Sequence, residues 1–232
     1  MFFVKFQGLS KLAWLAPGVL ASVALGLGGC LGRSGPAEEY LRVSGGDCAQ
    51  VDSSISTTPA KAFTPGPVIT TSESAKARRV VAVGKVKATD SLDRQAVMLA
   101  SGRVMSPSLR WYWEAPPGQL FQQALVGALN CRPGLAAVWP VRSNTEAACR
   151  LTGTVTGFEV QRESMRLEAS VDIQVWNGEG TTLVAKRTFS AGVPVAFLDA
   201  QSIAEAASKV LAGLGAEASD WVDDVMGKES GK

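Results

Sequence analysis

The chain has 232 residues, no histidine, and a formal net charge of +2. The absence of histidine excludes Ser-His-Asp and Cys-His mechanisms and removes the commonest zinc ligand, and no phosphate-binding or nucleophile-elbow glycine motif is present, so we expect no catalytic residue, metal or cofactor. Without the two lysines of the first 29 residues, 21 basic residues balance 21 acidic ones, which argues against a nucleic-acid partner.

The first residues have the pattern of an export signal. Lys5 and Lys11 precede an uncharged apolar run from Leu12 to Leu27. This run of about sixteen residues is shorter than the roughly 20 that a membrane-spanning helix needs. It ends in small residues and a thiol, Leu27-Gly28-Gly29-Cys30, which resembles the lipobox of bacterial lipoproteins. Residues 1–29 are therefore predicted to be a lipoprotein signal peptide and Cys30 the lipidated residue; the alternatives are an uncleaved anchor and an ordinary buried cysteine.

The next segment, residues 30–77, is rich in Gly, Ser, Thr, Pro and Ala and poor in large apolar side chains. Such a composition predicts a flexible linker, which would reach on the order of 140 Å if fully extended at about 3.1 Å per residue. Within it, Glu38 to Val43 is a candidate short strand. We expect one globular domain over residues 78–226 and a polar tail over 227–232.

The domain begins with strand patterns and then a helix. Val80 to Val86 is β-branched and predicts a strand, and Leu92 to Ser106 predicts two short strands that turn near Ser101-Gly102. Pro116-Pro117 opens a helix that continues through Leu129. A short strand over residues 137–139 follows.

The clearest pattern lies between Met165 and Trp176, where apolar and polar residues alternate over six consecutive pairs. This period of two predicts an antiparallel strand with one buried face. Flanking strands over 150–160 and 181–190 complete a meander, and Asp199 is the expected N-cap of a long closing helix. The predicted fold class is α+β: a two-layer sandwich of a mainly antiparallel sheet, with a C-terminal meander and two main helices packed on one face.

Three cysteines remain besides Cys30. An exported protein meets an oxidising compartment, so Cys131 and Cys149, which flank one short segment, are candidates for a disulfide. Cys48 lies in the linker. The alternative is that all three are small, reduced, partly buried side chains.

Aromatic residues are the remaining candidates for a partner interface. Trp111 and Trp113 point to one side of a strand, and rings with a polar edge suit interfaces, although large aromatics also dominate cores. Trp176 lies on the polar face of the alternating strand and is the stronger interface candidate, with a covering loop as the alternative. Asp220, Asp223 and Asp224 are expected to form a solvated helix face rather than a metal site.

Taken together, these features resemble the ABC-type transport auxiliary lipoprotein family. The resemblance rests on the lipobox, the strand Val80 to Val86 and the stretch Ser91-Leu92-Asp93-Arg94-Gln95. It continues with Arg110-Trp111-Tyr112-Trp113-Glu114-Ala115-Pro116-Pro117 and the strand Leu151 to Glu159. A Tyr-Tyr-x-Leu stretch is absent after the lipidated cysteine.

The resemblance implies a non-catalytic lipoprotein that carries fatty acid such as palmitate at Cys30 and faces the periplasm. It implies a role as accessory subunit of an ABC/Mce-type system for lipid transport between membranes, docked on the Mce-domain protein and able to self-associate. Leu31 and Gly32 stand where an aspartate would often mean inner-membrane retention, which favours the outer membrane of the cell envelope.

Two other classes of protein remain open. One is an envelope-assembly or structural lipoprotein, such as a plug in lipopolysaccharide export or an activator of cell-wall synthases. The other is a histidine-free periplasmic hydrolase that uses a Ser-Lys or a carboxylate pair, for which no Ser-x-x-Lys box is present. Two inward-pointing acids about 5–9 Å apart in an open cleft would favour that class.

Overall fold

The computed structural model describes residues 37–44, 78–142 and 145–229, with the side chain of residue 229 excepted. The predicted signal peptide, Cys30, Cys48 and most of the predicted linker lie outside the described residues.

Within these residues the chain forms eight strands and two helices. In chain order they are β1 Glu39–Leu41, β2 Arg79–Ala88, β3 Ala96–Ser101, β4 Val104–Trp113, α1 Pro117–Asn130, β5 Leu135–Val138, β6 Cys149–Gln161, β7 Arg166–Asn177, β8 Leu183–Pro194 and α2 Ala200–Glu229. Every element predicted from the domain's sequence is present.

Strand β6 organises the sheet. Along one edge it pairs antiparallel with β7 over its whole length, and β7 pairs antiparallel with β8. Along the other edge β6 pairs in parallel with β2 in its first half and with β3 in its second half. Parallel strand β5 extends the β2 side, and the β3–β4 hairpin extends the β3 side.

The short strand β1 belongs to the sheet rather than to a free linker. It pairs in parallel with the end of β4, with Glu39 opposite Trp111 and Leu41 opposite Trp113. Leu41 and Val43 are buried in the core. The predicted domain start at residue 78 is therefore corrected: residues 37–44 contribute to the domain, because their two apolar side chains cover one end of β4.

Both helices pack on one face of the sheet, where the alternating apolar side chains of β7 lie. The core joins Leu167, Val171 and Ile173 of β7 to α1 and α2. Helix α1 begins at a proline, and α2 is capped by Asp199, whose Oδ1 accepts a hydrogen bond from Ser202 N at 2.8 Å.

The predicted α+β sandwich is confirmed. The sheet is mixed: four parallel strand pairs accompany three antiparallel ones in the described region, and the two longest pairings, β6–β7 and β7–β8, are antiparallel. Helix α2 continues to Glu229 and so includes the first residues of the predicted tail. Neither helix in the described part of the chain combines the length and apolar character needed to cross a bilayer.

Candidate functional site

Two of the three predicted interface tryptophans lie in the core. Trp113 is 0% exposed and its ring packs 5.0 Å from that of Phe158, while Trp111 is 8% exposed. The end of β4 is covered by β1 on one side and by the helical layer on its apolar face, which leaves no surface for these rings to offer. Trp111 and Trp113 are therefore packing residues, which is the core alternative that the sequence left open beside the interface.

Trp176 is placed differently. It lies half-buried on the side of β7 away from the helices, and its Nε1 donates a hydrogen bond to Thr152 Oγ1 on β6 at 3.0 Å. Its partners in register are Arg150 and Leu183. No described loop hydrogen-bonds to this ring, so Trp176 remains a candidate for a partner contact.

The surface around Trp176 is the side of the meander that no other described element covers, which we call the open face. It is formed by the outward side chains of β6, β7 and β8, because successive residues of a strand alternate between the two sides. The register places these side chains in rows of three across the strands. The rows are Arg150-Trp176-Leu183, Thr152-Gln174-Lys186, Thr154-Asp172-Thr188, Gly157-Ser170-Ser190, Glu159-Glu168-Gly192 and Gln161-Arg166-Pro194.

Hydrogen bonds between neighbouring strands tie the open face together. Ser170 Oγ is shared by Thr156 at 3.1 Å and Ser190 at 3.0 Å. Asp172 accepts a hydrogen bond from Thr188 Oγ1 at 2.6 Å, which, with nearby Lys186 Nζ at 3.2 Å, lowers the pKa of that carboxyl. The face thus carries many neutral donors and acceptors, several of which are hydrogen-bonded across the strands.

A depression of about 300 Å³ lies toward one end of the open face, lined by small residues and two acids. Glu159 and Glu168 stand directly opposite each other on β6 and β7, which brings their Cβ atoms to about 5 Å. Burial raises the pKa of Glu159, and the neighbouring Glu168 charge adds to the rise. Within the described region Glu159 Oε2 is buried without a hydrogen-bond partner.

This acid pair gives a pH-dependent prediction for Glu159→Gln. The pKa of Glu159 in the folded state lies above its ordinary value of 4.5. The protonated carboxyl therefore contributes favourably to folding stability below pH 4.5, and this contribution is lost as the pH rises through the raised pKa. The variant should therefore melt at a higher temperature than the parent at pH 7, with little difference near pH 4. Thermal denaturation followed by circular dichroism at both pH values measures this. Equal melting temperatures at pH 7 would contradict it.

The structure does not form the predicted Cys131–Cys149 disulfide. Cys149 is buried at the start of β6, and its Sγ contacts Met226 Sδ of α2 at 3.5 Å. Cys131 follows α1 and is disulfide-bonded, but not to Cys149. The Cys149 side chain points inward, against α2. This explains why the short sequence separation of Cys131 and Cys149 did not correctly predict a disulfide between them.

The acids near the end of α2 have a structural role. Asp223 forms an ion pair with Arg79 of β2, and Asp220 forms one with Arg132, just after α1. These contacts hold the last turns of α2 against the rest of the domain. No group of metal-ligating side chains is found among the described residues.

The sequence pattern missed the opposition of Glu159 and Glu168. The alternation of β7 places Glu168 on its polar side, but its pairing with Glu159 depends on the register across the four-residue turn between β6 and β7. Gly157, which faces Ser170 beyond an irregularity in the register after Val155, was the available signal for a local change in the sheet.

Comparison of the sequence with protein-family models gives a match to the ABC-type transport auxiliary lipoprotein component over residues 63–219. This range covers more than half of the chain and includes β2 through most of α2. No curated protein sequence matches the chain significantly.

Solved structures share the fold. A Xanthomonas campestris protein is 16% identical, with a TM-score of 0.64 over 84% of this chain and 99% of that chain. A second crystal structure, of an uncharacterized protein, is 21% identical, with a TM-score of 0.54 over 62% of this chain and 92% of that chain. By its match to the family model, this chain belongs to the ABC-type transport auxiliary lipoprotein component family.

Proposed function

We propose that this protein is a lipid-anchored accessory subunit of an ABC/Mce-type system that moves lipid between the membranes of the cell envelope. Membership of an auxiliary-component family carries this proposal and indicates a non-catalytic role. The leader that ends at Cys30 supports anchoring by fatty acid, and Leu31 and Gly32 favour the outer membrane, with the domain in the periplasm.

The open face is the surface we assign to the Mce-domain partner. No element in the described part of the chain covers it, its backbone is fixed by the pairing of β6, β7 and β8, and it offers neutral hydroxyl and amide groups around Trp176. A polar surface with an aromatic residue near one end suits a specific, non-obligate interface.

Crosslinking followed by affinity capture from membranes tests this proposal. We expect the wild-type chain to recover an Mce-domain protein, and Trp176→Ala to lower that recovery about tenfold through loss of an aromatic anchor. Trp139→Ala is the matched control, because Trp139 is also exposed but lies after β5, away from the open face. Its recovery should equal that of the wild type.

The identity of the captured proteins decides between classes. Recovery of cell-wall synthases or lipopolysaccharide exporters, without an Mce-domain protein, would contradict the proposal and favour an envelope-assembly role. Crosslinks between two copies of the chain would test the expected self-association. The mass of the mature N-terminus at Cys30, measured on the same sample, tests acylation independently.

A further inference from the structure

One end of the sheet gathers turns that are distant in sequence. Because β3 runs parallel to β6, the β3–β4 turn lies beside the β6–β7 turn: Arg162 N donates to Ala100 O at 2.9 Å, and Ser101 Oγ donates to Glu163 Oε1 at 2.8 Å. The chain leaving β8 reaches the same end, where Val195 N donates to Met165 O at 2.8 Å. We call this region, residues 101–105, 162–165 and 194–199, the apolar end.

Exposed apolar side chains are concentrated there. Of the seven large apolar side chains that are exposed in the described part of the chain, Val104, Met105 and Phe197 belong to the apolar end, and Leu109 follows on β4. Val104 is 71% exposed and Phe197 70%. A soluble surface rarely exposes such a group of apolar residues without a contact to make.

The described chain enters the domain from the direction of this same end. Strand β1 is parallel to β4, so the chain enters β1 from the side of the β3–β4 turn. Nine residue steps separate Cys30 from Glu39, which span at most about 32 Å. The β4 segment from Trp111 back to Val104 spans at most about 23 Å. The segment between Cys30 and Glu39 is therefore short enough to keep the apolar end near the bilayer. It is also long enough to extend beyond the apolar end.

We propose that the apolar end lies on the phospholipid surface, with Val104, Met105 and Phe197 inserted among the lipid headgroups. This inference rests on acylation of Cys30, which is part of the proposed function. Arg103 and Arg162 are exposed at the same end and supply guanidinium groups for lipid phosphates. The anchor brings a bilayer, rather than a protein partner, to this surface, and the open face remains accessible from the side.

Photo-crosslinking of the acylated full-length chain tests this contact. A benzophenone amino acid is placed at Val104 or Phe197, and at Leu183 as the control, in vesicles of phosphatidylethanolamine and phosphatidylglycerol. Leu183 is 47% exposed and lies at the opposite end of the sheet, after the β7–β8 turn. After illumination, mass spectrometry should find at least about fivefold more phospholipid adduct at positions 104 and 197 than at 183, because only those side chains reach the interface.

Hydrogen–deuterium exchange on the unsubstituted acylated chain provides a second measurement. Residues 101–106 and 194–199 should exchange more slowly in vesicles than in detergent, while 178–183 should not change.

Equal adduct yields at 104 and 183, protein adducts alone at 104, or unchanged exchange would overturn this inference. A purified chain without acyl groups would overturn it together with the anchoring in the proposed function, whereas an acylated chain without lipid adducts would overturn this inference alone.

Discussion

Trp113→Ala is expected to lower the free energy of unfolding by about 3–5 kcal/mol, the usual cost of removing a large aromatic side chain from a core. Trp113 is fully buried and packs against Phe158, so truncation leaves a cavity between β4 and β6. Urea denaturation followed by circular dichroism measures the loss.

Two further variants serve as controls for Trp113. Trp113→Phe should lower the free energy of unfolding by less than Trp113→Ala does. It keeps most of the ring and removes an Nε1 that is buried without a hydrogen-bond partner among the described residues. Trp176→Ala should change stability by about 1 kcal/mol or less, because that ring lies on the open face. A larger loss for Trp176→Ala than for Trp113→Ala would reverse the assignment of core and surface.

Gly118→Ala is expected to destabilise the domain by about 1–3 kcal/mol, because the added methyl group has no space. A Cβ at this position would lie 2.7 Å from Val86 O and 3.1 Å from the carbonyl carbon of Lys87, both backbone atoms of β2. The first turn of α1 can therefore keep its place against β2 only if residue 118 has no side chain. The midpoint of urea denaturation measures the loss.

Gly213→Ala is the matched control, since it makes the same chemical change in a helix. A Cβ at Gly213 would meet no atom within 4 Å. The free energy of unfolding of this variant should therefore rise by about 0.5–1 kcal/mol, because alanine has a higher helix propensity than glycine. Destabilisation by both variants, or by neither, would show that contact between α1 and β2 does not decide the effect.

The sequence predicts the meander and the helices well because their patterns are local. The alternation from Met165 to Trp176 marks which side of β7 is buried, and the structure buries those apolar residues from Leu167 onward. Met165 itself has a φ of 48° and lies in the turn before β7. Asp199 caps α2 as predicted. Each of these features depends on residues that are close in sequence.

Features that depend on distant segments could not be predicted. The three residues of β1 are too few to show a period, and their place in the sheet depends on β4. The same limit applies to Trp111 and Trp113: the pattern shows that both point to one side of β4, but only the packing of β1, β6 and the helices shows that this side is covered. The direction of the Cys149 side chain toward α2 is equally non-local.

On the open face, the sequence correctly placed Trp176 on the polar side of β7, which is the part of the candidate site that local alternation can reveal. The neighbours of Trp176 on β6 and β8 follow from the register of three strands. Register depends on turn geometry as well as on alternation, so the opposition of Glu159 and Glu168 required the structure.

The parallel pairing of β6 with β2 and β3 has a consequence for the rate of folding. Val81 pairs with Cys149, 68 residues away, and Glu39 pairs with Trp111, 72 residues away. Such high contact order slows folding, because long loops must close before these strands can gain any pairing energy. The β6–β8 hairpins are local and can form early. Strand β1 is the first strand of the described domain to be synthesised, but it cannot pair until β4 is present.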